Sequence, residues 1–224
     1  HPDGVIDGVT ELARVYPSTV FPEAVGLVDN DPERLIRYGS MVFNGVGPDN
    51  ALRRAAMTHA SDVVPWITEQ CQRERMHGEG IGAHLYDLSD AGDISADDAG
   101  MLVRSLFSAG VDTTISGIGS ALWALATHPR AFEALRADPR LARPCFEETL
   151  RFTSPVHSFC RTANVTTEVA GVRIEADTKV LCVLGAANFD PDRWPEPGTF
   201  QIDRRPVGHL CLLYTSDAAD DRLS

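Results

Sequence analysis

Ala109-Gly110-Val111-Asp112-Thr113-Thr114 lies inside a stretch that otherwise reads as one long helix, and its reading decides the fold. An acid followed by a hydroxyl, behind two small residues, is awkward to bury in the middle of a helix. Gly110 costs roughly 1 kcal/mol against alanine in a helix interior. Thr113 and Thr114 are stiff at the first side-chain torsion, and each hydroxyl can turn back onto the carbonyl four residues earlier. Losses of local consistency of this kind tend to mark functional or strained sites.

The host helix is bounded by clear signals. Ser95-Ala96-Asp97-Asp98 reads as an N-cap with an acid at the third helical position. His128-Pro129 closes it, because the residue before proline avoids the helical region. At about 1.5 Å per residue, a helix over Ser95–Thr127 spans on the order of 50 Å, enough to cross a domain. Ser105, Ala109, Thr113 and Gly117 follow at four-residue steps on one narrow, small, mildly polar face. A large flat group fits against such a face, with Asp112 beside the Thr113 hydroxyl. A helix-crossing groove with one satisfied buried acid would use the same residues.

Further along, Glu148-Thr149-Leu150-Arg151 sits on a short helix opened by Pro144 and ended before Pro155. Glu148 and Arg151 share a face at three-residue spacing and can pair, although most such pairs are solvated. In Phe159-Cys160-Arg161, strand alternation puts Phe159 and Arg161 on one side. Val180-Leu181-Cys182-Val183-Leu184 reads as a buried strand, followed by Ala187-Asn188-Phe189-Asp190-Pro191-Asp192-Arg193-Trp194 and then Phe200-Gln201-Ile202-Asp203-Arg204.

In this order and spacing the pieces resemble the cytochrome P-450 family of haem-thiolate monooxygenases, from about Val5 to Leu210. The acid–threonine pair Asp112-Thr113 matches the family's oxygen-activating kink. Glu148 and Arg151 match its Glu-x-x-Arg pair, and Arg204 matches the second arginine that completes a structural triad. Arg161 matches an arginine that binds a haem propionate, and Asn188 to Trp194 matches the Asn-x-Asp-Pro-x-x-Trp turn of bacterial members. The resemblance implies haem b lying against Ala109 and Gly110, with Asp112 and Thr113 relaying protons to dioxygen. It also implies a small-molecule substrate, electrons from a ferredoxin and ferredoxin reductase, and a cytoplasmic protein.

Around the hexapeptide, Val103-Arg104-Ser105-Leu106-Phe107-Ser108 resembles members that oxidise para-substituted benzoates, as do Val42-Phe43-Asn44 and Ser154-Pro155-Val156 with Phe159. In those members an arginine and a serine at the positions of Arg104 and Ser105 help to hold the carboxylate. Phe43, Val46, Val156 and Phe159 would pack the ring. The other description of Arg104 and Ser105 is a surface arginine and a small helix-packing residue.

After Gly208-His209-Leu210 the family continues with a Phe-x-x-Gly-x-x-x-Cys-x-Gly loop whose thiolate holds the iron. Here Cys211-Leu212-Leu213-Tyr214-Thr215-Ser216-Asp217 lacks the glycines such a loop needs. Residues 211–224 look like the translation of a sequencing-library adapter and are set aside as a non-native tail. Cys211 is therefore not taken as an iron ligand, and the axial cysteine is absent from this chain. Residues 1–210 read as the central part of a single cytochrome P-450 domain, truncated at both ends. In this form the chain is expected to be inactive. A non-enzymatic helical scaffold that never binds haem is the other reading, which the intact Asp112-Thr113 pair disfavours.

Composition fits a soluble enzyme. Hydrophobic residues make up 43% and charged residues 23%, ordinary for a globular chain. A net charge of −12 argues against nucleic-acid partners, and no apolar run is long enough for a membrane span. Five cysteines without metal spacing argue against a disulfide frame or a zinc site, and the seven histidines do not cluster.

The fold class expected is α+β, mainly α: a partial cytochrome P-450 fold with a long central helix, the Glu-x-x-Arg helix and small β-sheets. Helices are predicted over Asp7–Tyr16, Asp31–Gly45, Asp49–Glu74, Ile81–Leu88, Ser95–Thr127, Ala131–Ala137 and Pro144–Phe152. Strands are predicted near Ser158–Thr162, Glu168–Ala170, Val172–Ile174 and Lys179–Leu184, with a hairpin turn at Ala170-Gly171 and a flexible connection over His77–Gly80.

Overall fold

The structure, a computed structural model, describes residues 4–204 and 208–211; residues 212–224 of the tail lie outside the described residues. The chain forms two units, with the boundary between Gly119 and Ser120.

The first unit is helical. A π-helical turn over Gly8–Ala13 leads into α1 (Val15–Val25), followed by α2 (Pro32–Gly45), α3 (Ala51–Met57), α4 (Ala60–Gln70), α5 (Ile81–Asp90), α6 (Ala96–Gly110) and the start of α7 (Asp112–Thr127). In place of the predicted Asp7–Tyr16 helix there is a short π-helical turn and a later helix that runs on through two prolines. Pro17 sits in the first turn of α1, where its missing N–H is no loss. Pro22 frees the Ser18 carbonyl, and the Asn30 side-chain amide donates to that oxygen at 2.7 Å.

The helix predicted over Asp49–Glu74 divides at Thr58-His59, whose amides fall back to the carbonyls of Ala55 and Ala56, while the Thr58 hydroxyl also donates to Ala55. A short 3₁₀ turn over Arg73–Arg75 ends the region. The connection over 77–80 is pinned rather than loose. His77 N–H donates to the Gly26 carbonyl at 2.7 Å, and a Cβ on Gly80 would meet the Gly26 Cα at 2.5 Å. Two backbones cross there, and only glycine lets them.

Val25, Leu35, Val63, Ile67, Val103 and Phe107 form the fully buried centre of this unit, with Phe21 edge-on to Phe107 at 6.2 Å. Each buried side chain of this size contributes about 1.5–3 kcal/mol. The Ser95 N-cap is as expected: Ser95 Oγ accepts from Asp98 N–H, and the Asp98 carboxylate accepts from Ser95 N–H.

The second unit carries, among the described residues, the rest of α7, then α8 (Pro129–Ala137), α9 (Ala142–Thr153), four strands and α10 (Leu184–Ala187). Strand β1 (Phe159–Thr162) pairs antiparallel with β4 (Lys179–Cys182), and β2 (Thr167–Val169) pairs antiparallel with β3 (Val172–Ile174). Ala170 and Gly171 both have positive φ, 50° and 78°, which is the two-residue turn a twisted hairpin prefers. The segment predicted as a buried strand to Leu184 is instead a half-exposed strand ending at Cys182, with Leu181 turned to solvent and a helical turn behind it. Its apolar run is β-branched and aliphatic enough for a strand, but a two-stranded ribbon buries at most one side.

Candidate functional site

The long helix breaks where the hexapeptide lies. α6 ends at Gly110 and α7 begins at Asp112, so the predicted single helix over Ser95–Thr127 is two. The Thr113 hydroxyl donates to the Ala109 carbonyl at 2.5 Å and the Thr114 hydroxyl to the Gly110 carbonyl at 2.6 Å. Two consecutive side chains thereby occupy carbonyls of the helical ladder, which bends or interrupts a helix.

Asp112 turns toward α2, where the missing side chain of Gly39 makes room: a Cβ there would lie 3.2 Å from the Asp112 Cβ. No hydrogen bond joins the Asp112 carboxylate to Thr113 or to any other described residue. Burial alone pushes its pKa above the usual carboxylate range. An acid held this way keeps its proton more readily at neutral pH than a solvated one, as a proton relay requires.

Gly110 has a packing explanation that sequence reasoning missed. A Cβ on it would come within 2.3 Å of the Phe21 ring. Its flank is filled by an aromatic side chain of α1, which by itself accounts for a glycine at this position. Ala109 and Ser105 are exposed and Thr113 is half-buried, while Val103, Phe107 and Val111 on the other side of the helix are fully buried. That uncovered strip of small side chains fits a flat ring system.

Arg104 and Ser105, expected together at a carboxylate, sit differently. Arg104 lines a cleft of about 540 Å³ among α4, α5 and α6, along with Cys71 and Tyr86. Its charge acts on the Tyr38 phenol and the Cys71 thiol, lowering both against the larger effect of burial. Ser105 is on the exposed face, its hydroxyl donating to the Leu102 carbonyl at 2.7 Å. Phe43 is half-buried on α2 and Val46 caps that helix, 82% exposed.

In the second unit, Glu148 and Arg151 are not a solvated pair. Arg151 Nε donates to Glu148 Oε2 at 2.7 Å and Nη2 to Oε1 at 2.9 Å, both side chains having no exposed surface. Arg204 Nε donates to Glu148 Oε1 at 3.1 Å, and so does the Gln201 N–H at 3.1 Å. The remaining guanidinium protons reach backbone carbonyls: Asn188 and Pro197 from Arg151, and Pro195, Glu196 and Thr199 from Arg204. These three residues therefore come together, with every charge answered.

Asn188, His209 and Ser154 were given no role from the sequence. Asn188 is fully buried, accepting from Leu210 N–H and donating to Ser154 Oγ, both at 2.8 Å. His209 is buried against Glu147 at 2.8 Å, and its Nδ1 has no partner among the described residues. Their signal was faint: a turn motif, and a histidine after a glycine.

Arg161 on β1 is exposed, stacked 5.3 Å from the Phe159 ring, with one guanidinium nitrogen donating to the Cys160 carbonyl. Phe159 and Val156 are half-buried, and His157 is exposed. Cys211 is buried, and burial pushes its thiol pKa up. Among the described residues no group of three histidine, cysteine or acidic side chains could hold a metal ion, and no helix is long and apolar enough to cross a membrane.

The cytochrome P450 family model matches residues 81–204. Cytochrome P450 CYP199A2 of Rhodopseudomonas palustris is 46% identical over 207 residues, covering 92% of this chain and 50% of that protein. Among solved structures, P450BioI bound to an acylated carrier protein superposes with a TM-score of 0.79 at 26% identity, over 92% of this chain and 54% of that one. Cytochrome P450 CREJ in complex with (4-ethylphenyl) dihydrogen phosphate gives 0.79 at 25% identity, over 89% and 51%. The chain spans about half the length of the curated relatives it matches.

Proposed function

The chain belongs to the cytochrome P450 family, and from that premise we propose that it is the central part of a haem-dependent monooxygenase acting on small aromatic carboxylic acids. The observation that carries this reading is the broken helix at Asp112-Thr113 beside an open strip of small residues. A scaffold has no use for a half-buried, unpaired acid next to a back-bonded threonine; it costs stability and returns nothing structural.

When bound, haem b supplies the chemistry of dioxygen reduction by two electrons and transfer of one oxygen atom to the substrate. Ala109, Gly110 and Thr113 would lie against the ring system, and Arg161 would hold a propionate. The Thr113 hydroxyl, now donating to the Ala109 carbonyl, would turn to hold and pass a proton at its oxygen. Asp112, whose pKa is raised by burial, would take up a proton and pass it to that hydroxyl through water. Glu148, Arg151 and Arg204 take no part in the chemistry; they brace α9 against the segment around residues 195–204. Electrons come from a ferredoxin with its reductase.

For substrate, Ser105 offers a hydroxyl on the same face as Thr113, two turns away. Arg104 supplies positive charge without having to touch the anion. Phe43, Val46, Val156 and Phe159 pack the ring. The aryl phosphate bound by CREJ, itself a para-substituted aromatic anion, supports this class. The substituent para to the acid would be the one oxidised, for instance by O-demethylation.

Full-length protein, reconstituted with haem, reduced and treated with carbon monoxide, should show the strongly red-shifted Soret band of thiolate ligation. Adding 4-methoxybenzoate should then shift the ferric spin state, and its neutral methyl ester should not. Absence of the red-shifted band would sink the haem-thiolate reading. Equal binding of acid and ester would sink the substrate class alone.

A further inference from the structure

The turn beginning at Asn188 is left without a role by the function proposed above, yet its side chain is among the most fully buried polar groups of the second unit. Its amide works in two directions. Oδ1 accepts from the Leu210 N–H and Nδ2 donates to Ser154 Oγ, each at 2.8 Å. Ser154 caps α9 in the left-handed region, φ 42°, and its hydroxyl donates to the Arg151 carbonyl at 3.0 Å. Arg151 Nη1 then donates to the Asn188 carbonyl at 2.7 Å. The ring of contacts closes: Asn188, Ser154 and Arg151 each hold the next. A second fixing lies one residue away, where His209 is bonded to Glu147 of α9.

We propose that Asn188 is a positioning residue: it fixes residues 209–210 against α9, and so sets where the chain enters the loop bearing the axial thiolate. The role of that loop rests on the haem-thiolate reading; the fixing itself does not. The amide suits the position because it carries an acceptor and a donor on one rigid plane. Leucine would match its volume and satisfy neither partner, leaving the Leu210 N–H without its acceptor and the Ser154 oxygen without its donor. Aspartate would keep the acceptor for Leu210; the Ser154 hydroxyl can turn to donate to its other oxygen, and the neighbouring Arg151 guanidinium offsets the added charge.

The test uses the full-length protein with Asn188→Ala, Asn188→Leu and Asn188→Asp. Amide hydrogen exchange at Leu210 should be slow in the parent and in Asn188→Asp. It should be about tenfold faster or more in the other two, the loss expected for one buried hydrogen bond. Equal exchange at Leu210 in the parent and in Asn188→Ala overturns the fixing. In haem-loaded protein, the carbon-monoxide adduct of Asn188→Ala should lose much of its red-shifted Soret band while Asn188→Asp retains it. A full red-shifted band and an unchanged reduction potential in folded Asn188→Ala overturn the positioning role. A parent protein that protects Leu210 but shows no such band instead overturns the haem-thiolate reading, and the iron-directed half of the proposal with it.

Discussion

Glu148 and Arg151 face each other one turn apart on α9 in a two-point ion pair, 2.7 and 2.9 Å, with neither side chain reaching solvent. Replacing a whole buried pair by apolar groups is often harmless, but removing one partner leaves a buried charge unanswered. Glu148→Ala strands Arg151, Arg204 and the Gln201 amide together. The expected loss is about 3–5 kcal/mol, enough to leave little folded protein. Arg204→Ala, at a side chain 9% exposed, should cost about 1–3 kcal/mol because Glu148 keeps Arg151. Urea unfolding followed by fluorescence of the buried Trp194 measures both. Similar costs for the two would mean the pair is not the centre of this network.

Gly110→Ala ought to stabilise a helix by propensity, by roughly 1 kcal/mol. Here a Cβ would lie 2.3 Å from the Phe21 ring, so the sign should reverse to a loss of about 1–3 kcal/mol from overpacking. Trimming the ring in Phe21→Leu should recover much of that loss in the double variant, although it is destabilising alone. Thermal unfolding of the four proteins gives the coupling. Simple additivity would show that Phe21 is not what Gly110 makes room for.

These two sites differ in how much could be read from the sequence. The spacing of Glu148 and Arg151 announces a pair, yet nothing local says that it is buried, because its burial comes from Asn188, Pro197 and Thr199, dozens of residues away. Gly110 was visible as an oddity, but its partner Phe21 lies far away in the chain, beyond the end of the helix expected over Asp7–Tyr16. The hydroxyls of Thr113 and Thr114 were legible as back-bonding groups, and the break they make at Val111 follows from that property; periodicity alone carried the helix straight through. The turn at Ala170-Gly171 was fully legible, since two positive φ angles are a local requirement. Asn188 and His209 were not, because what they hold is set by tertiary contact.

Asp112 should make stability depend on pH in a particular direction. Its pKa in the folded protein is raised by burial, so the native state binds the proton more tightly than the unfolded chain. This group's contribution is therefore fully favourable below the ordinary carboxylate pKa and declines as pH rises through the raised value. Asp112→Asn, which cannot ionise, should match the parent at low pH and exceed it in stability at neutral pH. Unfolding curves of the two proteins across that range check the sign; a parent that gains on the variant as pH rises would mean the carboxylate is paired rather than merely desolvated. In the haem-loaded full-length protein, the same variant should turn over about 10²-fold more slowly, and Thr113→Ala should divert electrons to peroxide.

Thiol reactivity offers a direct check on the cysteines. Cys160 is exposed, whereas Cys71 is buried and its thiol is pushed up to about 12 by desolvation, despite the nearby charge of Arg104. Cys145 and Cys211 are buried and raised in the same direction. Since the thiolate is the nucleophile and the iron ligand, a maleimide should modify Cys160 first and leave Cys71, Cys145 and Cys211 slow until unfolding. Cys211→Ala should leave any haem spectrum of this chain unchanged. Rapid labelling of Cys211 would show that its thiol is not buried, and a red-shifted carbon-monoxide band lost in Cys211→Ala would make it a ligand after all.

The arrangement of Arg104 and Ser105 separates two ways of recognising a carboxylate. Arg104 is half-buried beside Tyr38 and Cys71, with no carboxylate paired to it among the described residues, while Ser105 faces outward from the same turn. If both serve an aryl carboxylate, they do so differently: Ser105 by a hydrogen bond after leaving the Leu102 carbonyl, Arg104 through its field. A hydrogen bond to a charged group is worth about 1.5–3 kcal/mol, so Ser105→Ala should weaken 4-methoxybenzoate binding by about 10- to 100-fold. Arg104→Gln should weaken it by a smaller factor that shrinks further at high salt, since a field through solvent is screened and a buried contact is not. Neither change should affect the neutral methyl ester. The ferric spin-state shift of the haem-loaded full-length protein, titrated with acid and ester at two ionic strengths, distinguishes these. A salt-independent loss in Arg104→Gln larger than that in Ser105→Ala would mean that the arginine touches the anion; no loss in either would remove both residues from the substrate site.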